Sequence, residues 1–450
     1  MPFQKNQDVD LEITGVTHDG DGVGHAGGMA VFVPRTARGD LARVRLIHVK
    51  KSYAVGRLQE LLRPSPCRVG PDCPVFDRCG GCTWRHIAYA EELELKRLRV
   101  QDNLRKIGGL AVEPEPTVPS PRVDGYRNKA QIPAGMEDGR LRLGFYARHS
   151  HRIVECADCR LQTPGFAGLV AACRRWAELS GIEIYDEKTG KGQLRHLYLR
   201  TAQATGQQMA CVVVTRLPVP QPELLVRLMR EAGAESVLLN RNPAATNVIL
   251  GDECVTLAGP GRLTDILCGL RFEISPLAFY QVNHDQTEQL YRAVAEMAGL
   301  TGREHVLDLY CGAGTIGLTL AGRAARLTGV EIVPQAVEDA RRNAALNGIE
   351  NAAFFCEDAQ TAAARMADAG EKPDVVVVDP PRKGLSAPTL DAVCRMAPAR
   401  VVYVSCDPAT LARDLALFTA RGYACRRVRP FDMFPRTPHV ECVALMSRVK

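Results

Sequence analysis

The sequence predicts an α/β protein with a doubly wound parallel sheet in its C-terminal part, preceded by a small β-barrel and a central α+β region. Two observations lead to this fold class. From Ser275 onward, short apolar runs alternate with helical patterns, which is typical of a parallel sheet covered by helices. Over residues 9–62, short alternating runs flank the glycine-rich "DGDGVGHAGG", as in small all-β barrels.

We therefore predict three domains, at residues 1–64, 65–274 and 275–450, with "RPSPCRVGPDCP" as a linker after the first. In the central domain, "YAEELELKRLRVQDNLRKIGGL" predicts a charged helix that ends at its glycines. Five runs predict the strands of the C-terminal sheet, namely "HVLDLYC", "ARLTGVEIV", "AAFFCED", "DVVVVDPP" and "RVVYVSC".

Length and composition are those of a globular chain. The 450 residues are 46% hydrophobic and 24% charged, which is enough for two or three domains with ordinary cores. The chain begins "MPFQKNQDVD", without the pattern of a signal peptide, and contains no apolar run that could span a bilayer. We expect a monomeric cytoplasmic protein that does not contact a membrane.

Positive charge is concentrated in the predicted barrel, although the net charge of the chain is only +6. Basic residues alternate there with apolar ones, which indicates either a sheet surface that faces nucleic-acid phosphates or an ordinary solvated face. They are Arg35, Arg38, Arg43, Arg45, Lys50, Lys51, Arg57 and Arg63.

Clustered cysteines mark a second feature. Because disulfides are rare in a reducing compartment, the 16 cysteines are better interpreted as core residues, metal ligands or nucleophiles. "CPVFDRCGGC" brings Cys73, Cys79 and Cys82 together, and the fourth ligand could be Cys67 or one of the pair Cys156 and Cys159. The spacing is compatible with an iron–sulfur cluster, with zinc or with no metal.

A glycine turn follows the first strand of the doubly wound sheet, in "HVLDLYCGAGTIGLTLA". Such a turn, with Glu331 at the end of the next strand, suits the ribose of either NAD or S-adenosylmethionine. The strands that follow favour the latter. Asp358 could hold an adenine amino group, and Asp379 opens an Asp-Pro-Pro motif of the kind that holds a flipped base in nucleic-acid methyltransferases. Arg382 follows where amino-directed enzymes usually have an aromatic residue.

Cys406 lies between a buried strand over residues 401–405 and a helix that begins "DPATLARDL", with Asp407 as N-cap and Pro408 at its first position. At a helix N-terminus the dipole favours a thiolate, so we expect a depressed pKa. The alternative is a buried cysteine that only fills the core. Glu441 opens a later apolar run, where partial burial would raise its pKa towards that of a general base.

These residues fit one reaction. Thiolate addition at C6 of uracil makes C5 nucleophilic enough to accept a methyl group, and a base must then remove the C5 proton before the thiol leaves. Cys406 would be the nucleophile and Glu441 the base. Asp379 would orient the pyrimidine or the cofactor amine, and Arg382 could screen negative charge.

The chain resembles the RNA uracil-5-methyltransferase family, specifically its cluster-containing members that act on 23S ribosomal RNA. The likeness covers nearly the whole chain through motifs in matching order. They are "CPVFDRCGGC", "DCRLQ", "FYQVN", "LDLYCGAGTIGL", "DPPRKGL", "YVSCDPATLARD" and "FPRTPHVE".

The resemblance implies an N-terminal OB-like TRAM barrel that binds RNA, a central domain with a [4Fe-4S] cluster, and a class I methyltransferase domain. It implies that Cys406 is the nucleophile and Glu441 the base. Implied cluster ligands are Cys73, Cys79, Cys82 and Cys159, with Cys67 and Cys156 as bystanders. Implied S-adenosylmethionine contacts are Gln281, Tyr310, Thr315, Glu331, Asp358 and Asp379.

Two residues depart from the family pattern, which usually has Asn at the position of Asp407 and commonly His at that of Arg436. Asp407 places a negative charge beside the thiol, although Asp also caps helices well. Three alternative functions remain open. The first is a transfer-RNA uracil methyltransferase, but such members of the family typically lack the TRAM domain and the cluster. The second is a cytosine-5 methyltransferase, which uses the same thiol addition but has different motifs around the cysteine and the glutamate. The third is a non-catalytic iron–sulfur RNA-binding protein or assembly factor, which would not need Cys406 and Glu441.

Overall fold

The computed structural model describes residues 3–156 and 158–449. Within them, five strands form a closed barrel in the order β1-β2-β3-β5-β4, and β4 pairs back onto β1. Closure removes the exposed strand edges of an open sheet. The strands are β1 (Asp8–Val16), β2 (Gly22–Ala26), β3 (Met29–Val33), β4 (Leu41–Val49) and β5 (Tyr53–Arg63).

The barrel interior is narrow and filled by aliphatic side chains, among them Ile13, Val31 and Leu46, all 0% exposed. Gly56 of β5 lies against Val44 of β4, and a Cβ at Gly56 would be 2.1 Å from the Val44 Cγ1 atom. Glycine at this position therefore allows the two strands to meet inside the barrel. The predicted N-terminal OB-like barrel is confirmed.

Ion pairs neutralise about half of the predicted basic surface of the barrel. Arg43 pairs with Asp10 and Glu60, and Arg45 pairs with Asp8. Arg38 and Arg35 also have acidic partners, Glu91 and Asp77. The predicted phosphate-facing surface is therefore smaller than the sequence suggested. Four exposed side chains form no ion pair with the described part of the chain, namely Lys50, Lys51, Arg57 and Arg63.

The barrel is packed onto the segment that leads into the first helix, α1 (Tyr89–Lys106). The Trp84 side chain, 1% exposed, lies in an apolar cluster with Ala37 of the barrel and with Ile87. Its indole N–H donates to the Gly20 carbonyl oxygen at 3.0 Å. Tertiary packing as well as the linker therefore holds the barrel in place.

A mixed seven-stranded sheet forms the central region, in the order β12-β11-β10-β9-β6-β7-β8. Two helices bury one of its faces, α2 (Phe166–Ser180) and α3 (Pro222–Glu231). The strands are β6 (Lys129–Glu137), β7 (Arg140–Tyr146), β8 (Ile153–Glu155), β9 (Leu194–Thr201), β10 (Gln208–Val214), β11 (Ser236–Arg241) and β12 (Glu253–Ala258).

Two elements from the predicted central domain pack with the C-terminal domain instead. Val100 and Leu104 of α1 share a core with Leu411 and Leu415 of the C-terminal domain. A hairpin of β13 (Leu263–Leu267) and β14 (Leu270–Ile274) contributes buried apolar side chains to the same domain's other core. The hydrophobic cores of the C-terminal domain therefore include side chains from before residue 274, where the sequence predicts that domain to begin.

The C-terminal sheet has the order β17-β16-β15-β18-β19-β21-β20. Its first five strands are parallel, and β21 is antiparallel to both β19 and β20. The strands are β15 (His305–Leu309), β16 (Arg326–Glu331), β17 (Ala352–Cys356), β18 (Val375–Val378), β19 (Arg400–Ser405), β20 (Tyr423–Phe431) and β21 (Glu441–Arg448).

Helices cover both faces of this sheet. One core lies beneath α4 (His284–Ala298), α5 (Thr315–Ala321) and α6 (Pro334–Leu346). The opposite core lies beneath α7 (Ala359–Asp368), α8 (Ala387–Met396), α9 (Pro408–Thr419) and α1. The predicted doubly wound α/β fold is confirmed. Among the described residues, none of these helices has both the length and the apolar character needed to cross a membrane.

We expect Trp84→Ala to loosen the barrel, because it removes a buried ring and its hydrogen bond to Gly20, a change that costs about 3–5 kcal/mol for large aromatic side chains. Limited proteolysis should then cleave the linker after residue 64 faster than in the wild-type protein. Trp176→Phe, in the core of the central sheet, is the control and should not release the barrel. Equal cleavage rates for Trp84→Ala and wild type would contradict this account of the attachment.

Candidate active site

A cleft of about 1110 Å³ opens where the parallel strands of the C-terminal sheet end. Ligands of open α/β sheets bind at this edge. The cleft wall formed by the sheet includes Tyr310 after β15, Glu331 at the end of β16, Asp379 after β18 and Cys406 after β19. The facing wall comes from the central region and includes Lys129 of β6.

The glycine turn after β15 is held by two carboxylates. Asp308, 0% exposed, accepts a hydrogen bond from the Gly317 N–H of α5 at 2.9 Å. Glu331 accepts from the Gly312 N–H at 3.1 Å and from the Val333 N–H at 2.9 Å. Glu331, which the sequence predicts to contact the cofactor ribose, therefore lies directly against the glycine turn.

The other predicted cofactor contacts are divided. Gln281, Tyr310 and Asp358 line the cleft, and Asp358 also caps α7 by accepting from the Gln360 N–H at 3.0 Å. Thr315 does not line it, since its hydroxyl group lies 2.7 Å from the Tyr291 hydroxyl in the core. A direct role of Thr315 thus remains a prediction without support from its position.

The predicted nucleophile and base are brought together by strand pairing. β19 pairs antiparallel with β21, with Ser405 opposite Cys442. The next step of this register places Cys406 opposite Glu441, and both side chains line the cleft. Asp379, at the end of the neighbouring strand β18, lines it beside them.

Burial governs the protonation of these groups. It raises the pKa of Glu441 to about 8, with a further contribution from Asp379, and raises the pKa of Asp379 to about 7. Both carboxyl groups therefore titrate near neutral pH. The expectation of a raised pKa for Glu441 agrees with the structure.

The expected depression of the Cys406 pKa is wrong. Burial, and then the charges of Glu441 and Asp379, raise the pKa of this thiol to about 11, while Arg382 acts in the opposite direction. The helix dipole is outweighed because Cys406 lies in a partly buried site beside two carboxyl groups. Protonation of either carboxyl group removes a charge that opposes the thiolate.

Asp407 acts as the predicted N-cap of α9. Its carboxylate accepts from the Ala409 N–H at 2.9 Å and from the Thr410 N–H at 3.0 Å. The charge that distinguishes it from the usual Asn is therefore directed at the helix terminus, where the dipole stabilises it.

Positive charge lines the cleft on both sides. Arg127 and Lys129 come from the central region, and Arg382 and Lys383 follow β18. None of the four forms an ion pair within residues 3–156 and 158–449. Burial and the neighbouring Arg200 lower the pKa of Lys129 to about 8. A polyanion such as RNA would find unpaired cations here.

The cysteines lie on the central wall of the same cleft. Cys73, Cys79, Cys82, Cys156 and Cys159 line it, whereas Cys67 does not. Among the described residues, no group of three or more His, Cys, Asp or Glu side chains lies close enough together to hold a metal ion. Burial raises the pKa of both Cys79 and Cys82, and the nearby Cys159 adds a smaller contribution in the same direction.

Comparison with known proteins identifies the family. Residues 269–449 match the model of the tRNA (Uracil-5-)-methyltransferase family, and residues 2–58 match the TRAM domain. An uncharacterized RNA methyltransferase from Clostridium tetani is 42% identical over 99% of this chain and 98% of its own length. The chain belongs to the RNA uracil-5-methyltransferase family.

Further likenesses extend over the full length of this methyltransferase. An uncharacterized RNA methyltransferase from Listeria monocytogenes is 42% identical over 99% of this chain and 98% of its own. The crystal structure of the Pyrococcus abyssi tRNA (uracil-54, C5)-methyltransferase in complex with S-adenosyl-L-homocysteine is also similar. It has a TM-score of 0.80 and 29% identity, over 97% of this chain and 99% of that chain. The chain is thus an S-adenosylmethionine-dependent RNA methyltransferase.

Sequence reasoning missed three polar residues of this region of the methyltransferase. Asp308 could have been found as an acid inside the apolar run "HVLDLYC", where only a hydrogen-bonded or protonated carboxyl group is expected. Lys129 opens β6 and Arg127 lies two positions before it, so period-2 alternation continued back from the strand would have placed them on one face.

We expect the buried carboxyl group of Glu441 to make stability depend on pH. Its pKa rises on folding from an ordinary value of 4.5 to about 8, so the folded state binds the extra proton between these limits and stability falls as pH rises through them. Glu441→Gln should therefore leave Tm nearly unchanged at pH 5. At pH 9 it should raise Tm by roughly 2–4 °C for each kcal/mol of desolvation relieved.

Thermal unfolding at the two pH values measures this difference. Glu231→Gln, at an exposed position on α3, is the matched control and should show the same small effect at both. A Glu441→Gln variant whose Tm difference from wild type does not change with pH would contradict the burial of a titrating carboxyl group.

Proposed function

We propose that this methyltransferase modifies C5 of a uridine in 23S ribosomal RNA through a covalent bond between Cys406 and C6 of the uracil. The observation that carries the proposal is the placement of Cys406 opposite Glu441 in one cleft with Asp379. A cysteine and a carboxylate facing one ring have the two roles that C5 methylation requires.

The chemistry can be followed atom by atom. The thiolate of Cys406 forms a bond to C6, and the electron pair of the C5–C6 double bond moves onto C5 and the adjacent carbonyl group. S-adenosylmethionine, when bound, would supply the methyl group. As C5 bonds to the methyl carbon, the methyl–sulfur bond breaks and its electron pair stays on the sulfur, which becomes a neutral thioether. Glu441 then takes the remaining hydrogen of C5 as a proton. The electron pair left behind re-forms the double bond and expels the Cys406 thiolate.

The neighbouring residues fit supporting roles. Asp379 has a pKa of about 7 and can offer either a donor or an acceptor to the pyrimidine or to the cofactor. Arg382 lies close enough to offset part of the rise in the pKa of Cys406, and it can stabilise the negative charge that develops on the ring. The uridine must leave its base stack to reach the cleft, which favours a loop or a distorted helix end as target.

Transfer RNA is the second candidate substrate. The similar Pyrococcus abyssi protein is a tRNA methyltransferase and aligns with 97% of this chain. A full-length likeness therefore does not separate the two substrate classes. The proposal of 23S ribosomal RNA depends on the motif resemblance around the cysteines, and the substrate trapped below decides between the two.

An iron–sulfur cluster is proposed for the cysteine wall. The donor set consists of five thiols on one wall of the cleft, a ligand chemistry that suits an iron–sulfur cluster or zinc. Cys73, Cys79, Cys82 and Cys159 would hold it. Such a cluster would stabilise the fold of this wall, and the reaction described above needs no electron from it.

We expect Glu441→Gln to trap the RNA on the protein, already methylated at C5, because attack and methyl transfer proceed while proton removal stops. The complex should survive denaturing electrophoresis, and mass spectrometry should find the methyl group. A 23S ribosomal RNA fragment should be trapped and a tRNA transcript should not. The reverse preference would overturn the proposed target and leave the chemistry intact.

Cys406→Ala provides the complementary result, with neither adduct nor product. Cys394→Ala, on α8 and outside the cleft, is the matched control and should behave as wild type. Normal turnover by Glu441→Gln, or a trapped adduct without the methyl group, would show that Glu441 is not the base.

Protein purified without oxygen should be brown and contain about four irons with acid-labile sulfide. Cys159→Ser should lose the colour. Cys67→Ser should keep it, because Cys67 lies outside the cleft. Stoichiometric zinc without iron in fresh anaerobic protein would contradict the cluster.

A further inference from the structure

Glu441 is preceded by a segment that the reaction itself does not explain. Residues 432–440 connect β20 to β21, and we refer to them as the 432–440 segment. Phe434, Thr437 and His439 of this segment line the cleft together with Glu441. The path of the segment therefore sets where β21 begins and where the carboxyl group of Glu441 points.

This segment is held mostly by side chains from the N-terminal half of the protein. The Tyr126 hydroxyl donates to the Pro435 carbonyl oxygen at 3.1 Å, and Arg99 donates to that of Pro438 at 2.9 Å. The Arg436 carbonyl oxygen accepts from the N–H groups of Thr83 at 2.9 Å and Trp84 at 3.1 Å, next to the cysteine motif.

Lys96 of α1 makes the most central of these contacts. Its ammonium group donates to Asp432 at 2.5 Å, to the Phe434 carbonyl oxygen at 3.2 Å and to Glu92 at 3.0 Å. The side chains of Lys96, Glu92 and Asp432 are all 0% exposed. The buried ammonium group of Lys96 therefore joins α1 to Asp432 and Phe434, at the start of the 432–440 segment.

Glu92 extends the same network. It accepts from the Arg436 N–H at 2.7 Å, and the Arg436 guanidinium lies 3.8 Å from its second oxygen. Arg436 has a φ of 68°, a conformation that non-glycine residues adopt only when other contacts hold it. The ammonium group of Lys96 bonds to both Glu92 and Asp432. Without its positive charge, these two buried acidic side chains would lie side by side with no cation shared between them.

The nucleophile is held differently. Cys406 follows β19, and the residues around it bond locally, with the Ser405 hydroxyl accepting from the Asp407 N–H at 3.1 Å and Asp407 capping α9. α1 does pack against α9, through Val100 and Leu104. Within the described residues, however, the Lys96 ammonium group bonds only to Glu92, Asp432 and Phe434. A substitution at Lys96 should therefore reach the segment before Glu441 more directly than it reaches Cys406.

We propose that Lys96 is a positioning residue for Glu441, because its buried contacts with Asp432 and Phe434 fix the 432–440 segment that leads to the base. This inference depends on the proposed function, in which Glu441 removes the C5 proton. A displaced carboxylate removes that proton slowly, whereas thiol addition and methyl transfer do not need it. Displacement by about 1 Å can slow a step roughly 100-fold.

The experiment separates these steps in single-turnover reactions with RNA tritiated at C5 of the uridine. In Lys96→Met, formation of the methylated adduct should stay close to the wild-type rate. Tritium release and adduct breakdown should slow about 10- to 100-fold, so that the adduct accumulates. Lys96→Arg should restore release in part. Lys106→Met, at an exposed position on the same helix, should match wild type.

Asp432→Asn is the second variant, in case Lys96→Met does not fold. It keeps an oxygen acceptor for Lys96 and weakens only the contact with the segment, so release should slow in the same direction by a smaller factor. Adduct formation and release that fall together in either folded variant would show a merely structural role. Unchanged release would overturn the proposal as well.

Glu441→Gln, assayed in parallel, distinguishes failure of this inference from failure of the proposed function. When Glu441→Gln traps a methylated adduct and Lys96→Met does not, only the role of Lys96 is overturned. When Glu441→Gln itself traps none, the assignment of the base fails, and the role of Lys96 fails with it.

Discussion

The register between β19 and β21 is the constraint on which the rest of the site depends. With Ser405 opposite Cys442, the next step places Cys406 opposite Glu441 at the edge where ligands bind. A slip by one residue would turn one of these side chains to the other face of the sheet. Both faces of this strand pair are buried, with Val404 and Val443 in one core and Tyr403 and Cys442 in the other. A slip would force each of these side chains into a position packed for another. The proposed nucleophile and base are therefore positioned by a sheet core and not by a flexible loop.

The burial that fixes the positions of Cys406 and Glu441 also sets the pKa values of the groups in the cleft. It raises the pKa of Glu441 to about 8 and that of Asp379 to about 7, which makes both groups able to exchange protons near neutral pH. The same burial opposes the thiolate of Cys406. Cations on both cleft walls, including Arg382 and Lys129, supply the opposite charge that an RNA substrate needs. The barrel contributes less charge than its sequence suggests.

Patterns local to a few residues were predictable from the sequence. The five parallel strands and the N-cap of α9 at Asp407 follow from apolar runs and capping residues, and the structure confirms them. The raised pKa of Cys406 was not predictable, because its main cause, burial, and the charges of Glu441 and Asp379 depend on tertiary packing. Neither was the pairing of Arg43 and Arg45 with acidic partners across the barrel. The packing of α1 against α9 likewise depends on tertiary contacts.

The most direct test of covalent catalysis by Cys406 uses the wild-type protein and RNA with 5-fluorouridine at the target. Fluorine cannot leave C5 as a proton does, so the reaction should stop after methyl transfer. Mass spectrometry of the digested complex should then show one peptide that contains Cys406 and carries a methylated fluorouridine. Absence of a covalent complex, or attachment to a different cysteine, would contradict the account.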